Sequence, residues 1–275
     1  MENKRFIPVL ALCAVLLCPS CSVHEDRRDC PASLRFEVRN TKAFLPSRSV
    51  SFEVRSSGSG DRLGRDSQPL EVLGSDDYRM AVRKDLVDVG GITGGAHGKL
   101  SSTRYTYPVG SPSDTIYHFH VHGIDATGEE ATVPVMLTKE FCRLNVLFKY
   151  DENEDFIYEI RVRGNTCGLD LMTGEPIEGA FSTIPYSPSK GAFTTVVPRQ
   201  RDDSMIIEIW ANGKNPSENG HLEDIELSKY LGYIPGFSWG MADLPDITVR
   251  IDYVRASFEI WIDDWQVGRI FNYII

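Results

Sequence analysis

Several short patterns in this sequence hold residue types that do chemistry in other proteins. Gly236-Phe237-Ser238-Trp239-Gly240 has the spacing of a nucleophile elbow, in which a strand, a sharp turn and a helix present a serine to an acid and a histidine further along the chain. Pro235 and Pro245 bracket it and no histidine follows His221, so a triad in that order lacks its base. Residues 94–100 (GGAHGKL) approximate a phosphate loop, but Thr93 replaces the first glycine and Leu100 the magnesium-binding hydroxyl, which points to a glycine-rich connection. His118, His120 and His122 alternate, so on a strand they share one face about 6.8 Å apart. A pair of them chelates zinc only with help from another strand, and three collinear imidazoles cannot close one tetrahedral site. The expected arrangement is a solvated histidine face opposite a buried Tyr117, Phe119 and Val121 row, with no metal. Residues 151–155 (DENED) begin like a calcium loop, but Phe156 and Val162 occupy the glycine and glutamate positions. That segment and residues 198–203 (PRQRDD) are expected to be charged hairpin turns. With each constellation incomplete, no enzyme activity and no cofactor are expected.

The N-terminus carries a different chemistry. Lys4 and Arg5 precede an apolar run over residues 6–17 (FIPVLALCAVLL), the n- and h-regions of a secretory signal. As a helix those residues span about 18 Å, well short of a bilayer core of roughly 30 Å. Ser20-Cys21 then resembles a bacterial lipoprotein cleavage site, with Cys21 as the acylated first mature residue, although Cys18 and Pro19 depart from the usual box. Several acyl chains on one residue suffice for stable membrane attachment. Ser22, rather than Asp, follows the cysteine, which by the enterobacterial sorting rule favours the outer membrane. Cys30, Cys142 and Cys167 remain, allowing at most one disulfide, whose pairing the spacing leaves open.

The elements that must carry these residues read as strands. Alternation recurs at Leu34/Phe36/Val38, Val50/Phe52/Val54, Leu144/Val146/Phe148, Ile207/Ile209, Ile247/Val249/Ile251 and Phe258/Ile260/Ile262, each run bounded by turn residues. Only residues 221–231 offer a helix, and even there IEL at 225–227 is open to a strand reading; residues 55–68 read as a polar Gly/Ser loop. The chain has 275 residues, with 29 Lys+Arg against 39 Asp+Glu, a net charge of −10. That length suits two domains, and that charge excludes a phosphate-attracting surface and hence a nucleic acid partner. We expect a signal peptide over 1–20, a lipidated tether over 21–32, and all-β domains over 33–140 and 141–275.

Residues 21–31 (CSVHEDRRDCP) resemble the mature start of the FimB-type fimbrial anchoring lipoproteins of Bacteroidales-type bacteria. The blocks DTIY at 114–117, DATGE at 125–129, LTKEF at 137–141, PRQ at 198–200 and DLPDITVRIDY at 243–253, with Trp265, follow in the same order. Ala32 stands where the family often has a second cysteine and Thr138 where histidine is common. The resemblance implies two tandem transthyretin-like antiparallel β-sandwiches, held by lipid at the base of a fimbrium on the cell surface. It also implies a shaft-subunit partner joined by strand complementation. Shaft subunits lose an N-terminal strand, whereas cutting this chain near Arg39 or Arg48 would sever it from Cys21. Its first strand should therefore stay, and the C-terminal tail, with Ile270, Phe271, Tyr273, Ile274 and Ile275, becomes the candidate donor or else the last strand of its own domain. An alternative is a surface glycan-binding lipoprotein that uses Tyr233, Phe237 and Trp239 as a sugar-stacking platform.

Overall fold

The alternating segments become strands with one buried face each. The computed structural model describes residues 30–39, 48–95, 97–150, 157–212, 220–255, 257–262 and 265–272, and one compact unit begins at Pro31. Strand β1 (Ala32–Val38) buries Ala32, Leu34 and Phe36 and lies between β4 (Arg79–Val82) and β9 (Glu130–Val135). A second sheet runs β10 (Thr138–Lys139), β8 (Tyr117–Asp125), β5 (Leu86–Thr93), β2 (Ser49–Ser56) and β3 (Arg62–Pro69). Phe36 and Phe52 meet with ring centroids 4.7 Å apart in a core shared with Val50, Val54, Val89 and Leu73 of the single-turn helix α1 (Leu70–Leu73).

A further sheet has the order β14 (Tyr186–Ser189), β15 (Ala192–Pro198), β11 (Phe141–Lys149), β18 (Ile247–Asp252), β19 (Ser257–Ile262) and β20 (Trp265–Asn272). Its inward residues Leu144, Val146, Val249 and Ile260 share a core with Ile160 of β12 (Ile157–Asp170) and Ile207 and Ile209 of β16 (Ile206–Asn212). β17 (Gly220–Glu226) and β13 (Pro176–Thr183) flank those two strands. The chain is nearly all β, as the alternation predicts. Two pairs depart from the antiparallel rule: β1 with β9 and β11 with β18 are parallel.

The hairpin of β6 (Lys99–Ser101) and β7 (Arg104–Thr106) leaves the first half of the chain and pairs with the end of β12, Leu169 opposite Tyr105. A small core forms there from Ile92, Tyr105, Tyr107, Ile116, Leu169 and Leu171. Gly90 permits the approach, because a Cβ on it would lie 2.3 Å from the Leu171 carbonyl oxygen.

Two expectations are corrected. The polar stretch 55–68 is not a loop throughout: β2 ends at Ser56, a short turn follows, and Arg62–Pro69 is the edge strand β3. An edge strand needs only one partner, and charged residues with a terminal proline guard its free side. The anticipated helix over 221–231 is strand through Glu226, with one helical turn, α2 (Ser228–Leu231), after it.

Candidate functional site

The densest polar constellation forms where residues 139–140, between β10 and β11, meet residues 199–200, just after β15. Arg199 is buried, and its Nε donates to Glu140 Oε2 at 2.8 Å. Its remaining donors reach the carbonyls of Lys139 at 2.6 Å, Met241 at 2.8 Å and Trp239. Burial pushes the Glu140 carboxyl above its ordinary range, and the Arg199 guanidinium opposes that shift. Gln200, also buried, donates to the Pro198 carbonyl at 2.7 Å and accepts from the Asn165 amide at 2.9 Å. The charged turn expected at 198–203 is thus buried over its first residues. A cleft of about 450 Å³ opens beside the clamp, lined in part by His118, His120, Gly174 and Trp239. A guanidinium whose donors are occupied by one carboxylate and three carbonyls fixes the chain crossing; it has little left for a ligand.

The histidine row divides. His120 and His122 are exposed, as expected, but His118 is 1% exposed and donates from Nε2 to the Leu171 carbonyl at 2.9 Å. Burial lowers its pKa to about 4, so it is neutral at pH 7. The solvated-face expectation fails at this residue because the turn after β12 covers it, a contact between residues far apart in sequence. Ring centroids lie 5.2 Å apart for His118 and His120 and 5.3 Å for His120 and His122.

The glycine-rich connection at 94–100 does cradle an anion, and that anion is the chain's own. Asp114 accepts from the Gly98 amide at 2.7 Å, the His97 amide at 3.1 Å, His97 Nδ1 at 2.8 Å and the Tyr105 hydroxyl. Burial works against its ionisation, but the bonds from Tyr105, Gly98 and His97 win and hold the carboxyl below its usual range. At the elbow-like sequence, Ser238 Oγ accepts from the Gly240 amide at 3.1 Å, and no helix follows. Trp239 is buried against the core, with Phe237 edge-on at 5.3 Å, while Tyr233 is exposed. The three aromatics expected as a sugar platform are therefore not one exposed set, because Trp239 serves the core.

Cys21, the candidate lipid acceptor, and residues 151–155 lie outside the described residues. Cys30 is exposed, Cys142 is buried, and Cys167 is half-buried with its Sγ donating to the Glu178 carbonyl at 3.3 Å. Of the tail residues, Ile270 pairs with Glu259 and Phe271 with Phe258 in the β19–β20 ladder; Tyr273, Ile274 and Ile275 lie outside the described residues. β20 is the last strand in its sheet order, whereas β1 has a partner on each side. The sequence did not reveal the Arg199–Glu140 pair, since 59 residues separate the partners. Its only trace was that both fall in blocks carrying the family resemblance.

No family profile and no curated protein matches the chain by sequence. Solved structures do. A candidate polysaccharide-binding protein of Bacteroides thetaiotaomicron is 14% identical, with a TM-score of 0.62 over 90% of this chain and 99% of its own. A candidate adhesin of Bacteroides ovatus is 14% identical, with a TM-score of 0.61 over 91% and 97%. The fimbrial anchor protein Mfa2 of Porphyromonas gingivalis is 10% identical, with a TM-score of 0.58 over 86% and 98%. At these identities the likeness establishes a shared fold, and the proteins with that fold include candidate adhesins and a fimbrial anchor.

Proposed function

We propose that this protein is an outer-membrane lipoprotein, acylated at Cys21, that anchors a fimbrium to the cell surface and caps its base without enzymatic activity. In this reading residues 1–20 are the signal peptide, 21–32 the tether, and 33–140 and 141–275 two tandem sandwiches. The observation that carries the proposal is the place of β1. It is the middle strand of its sheet, hydrogen-bonded to β4 and β9, with Leu34 and Phe36 buried, and its chain leads back toward Cys21. A subunit that keeps such a strand has no vacant groove there to receive a neighbour's, which suits the end of a fibre rather than its shaft. The fold shared with Mfa2, named a fimbrial anchor, supports the same role. The shaft subunit then joins by strand complementation, with the apolar tail around Ile270, Phe271, Tyr273, Ile274 and Ile275 as donor or as the edge on which a partner strand adds.

Fractionation of cells carrying Cys21→Ala tests the anchor. The variant should leave the outer membrane and release fimbriae into the medium, because a mature chain of net charge −11 has no basic patch to replace the lipid. Retention in the membrane with palmitate label on Cys18 refutes the assignment. Deleting residues 268–275 tests the tail: a folded, membrane-bound product that no longer retains fimbriae supports donation, and an unfolded product shows that the tail belongs to its own sheet.

A further inference from the structure

The outer face of the six-stranded sheet carries a row of side chains with no role in the core. Strand register places Tyr186, Thr194, Asn145, Thr248 and Trp261 side by side on five neighbouring strands. At the usual strand spacing the row is about 19 Å long, room for several sugar rings. It is uncharged. Thr194 Oγ1 donates to Asn145 Oδ1 at 2.9 Å, and Tyr186 at one end is 69% exposed.

Beside the Trp261 end lies a cavity of about 330 Å³, whose lining includes Leu147, Lys149, Arg250, Asp252, Arg255 and Glu259, with Asp252 ion-paired to Lys149 at 2.9 Å and to Arg255 at 3.9 Å. The Arg250 guanidinium sits over the Trp261 ring, 4.6 Å from its centroid, and Trp261 Nε1 donates to Glu259 at 3.1 Å. Among the described residues Arg250 makes no ion pair and no hydrogen bond, although Glu259 is its cross-strand neighbour.

The opposite sheet provides an internal comparison. There Arg161 lies over Trp210 at 4.1 Å and Trp210 Nε1 donates to Glu208 at 3.0 Å, the same arrangement. But Arg161 is held by Glu159 at 2.5 Å, and Arg163 pairs with Glu208, so that set is internally neutralised. Of these two sets, the one at Trp261 combines an aromatic ring, a planar donor left free, the Glu259 carboxylate and a cavity.

From this geometry we infer that the outer face around Trp261 and Arg250 is a binding site for a neutral polysaccharide chain. A few placed polar groups beside apolar surface is the usual make-up of a ligand site, and here both donors and acceptors suit hydroxyl groups. In the cavity Asp252 is answered by Lys149 and Arg255, and the row itself is uncharged, so the occupant that fits is a neutral chain. The Thr194–Asn145–Thr248 row extends the site toward Tyr186, so a chain rather than one ring would be held. The inference does not depend on anchoring, since a glycan on this face leaves both β1 and the lipid site untouched.

Affinity electrophoresis of the full chain through gels containing mannan, xylan, β-glucan or dextran tests it, with polygalacturonate and heparin as acidic counterparts. At least one neutral polymer should retard the protein. Trp261→Ala and Arg250→Ala should each weaken that retardation at least tenfold, while Trp210→Ala leaves it unchanged. Arg250 is exposed, so its variant keeps the test decisive even if Trp261→Ala does not fold. Retardation by none of the neutral polymers, tighter binding of the acidic ones, equal loss in Trp210→Ala, or no loss in Arg250→Ala overturns the inference.

Discussion

Arg199→Ala would leave Glu140 buried without its partner and free the carbonyls of Lys139, Trp239 and Met241 at the same time. Removing one member of a buried ion pair costs about 3–5 kcal/mol. In a chain of this size each kcal/mol lowers the melting temperature by about 2–4 °C, so the variant should melt about 6–20 °C below the parent. The pH dependence identifies the cause. Burial raises the folded-state pKa of Glu140 above its ordinary 4.5, so its contribution is fully present below that value and is lost as pH rises through the folded pKa. Without Arg199 the folded pKa climbs further and the loss extends to higher pH. The gap between parent and variant should therefore widen from pH 4.5 to 7. Urea melts across that range measure it, and Glu140→Gln added to Arg199→Ala should narrow the gap at pH 7. A cost below about 1 kcal/mol, or a gap independent of pH, would refute the clamp as the source of stability.

Two further substitutions probe the first half of the chain. Asp114→Asn should cost about 2–3 kcal/mol near neutral pH by weakening charge-assisted bonds from Gly98, His97 and Tyr105. Because the folded pKa of Asp114 is lowered, its contribution is present above the ordinary 3.8 and is lost as pH falls through the folded value, so parent and variant should converge in acid melts. Gly90→Ala should cost about 1–3 kcal/mol in denaturant melts, since its methyl meets the Leu171 backbone, which cannot swing aside as a side chain could.

The elements that bury one face against a core were legible as alternation: Leu34 and Phe36 in β1, Val249 and Ile251 in β18. β3 was not, because an edge strand with a polar outer side, reading RLGRDSQP, has no such periodicity to show. β17 was obscured by a register shift opposite Ile209 and Trp210, where a bulge breaks the period of two. His118 and Arg199 were misread for a common reason. Their burial is set by segments far along the chain, the turn bearing Leu171 and the loop bearing Trp239, and local pattern holds no record of what will cover a residue. The loop at 94–100 shows the converse. Its resemblance to a phosphate cradle was chemically sound, and what the sequence alone could not show was that a carboxylate sixteen residues past Gly98 already occupies it.

These distant contacts matter most for the proposed role. In that proposed role the chain would carry load between a lipid on Cys21 and a partner near β20, and the load would pass from the first half of the chain to the second. The covalent crossing at residues 139–141 is narrow, but it is reinforced on several sides. β7 is hydrogen-bonded to β12, the Tyr107 amide to the Cys167 carbonyl at 2.9 Å, the Ser113 amide to the Val196 carbonyl at 2.9 Å, and Arg199 to both Glu140 and Met241. Backbone ladders and a multidentate guanidinium are directional, so small displacements break their geometry, whereas apolar contacts can slide and re-form. A junction fixed by such bonds resists shear until several fail together, the behaviour required of the fixed end of a fibre.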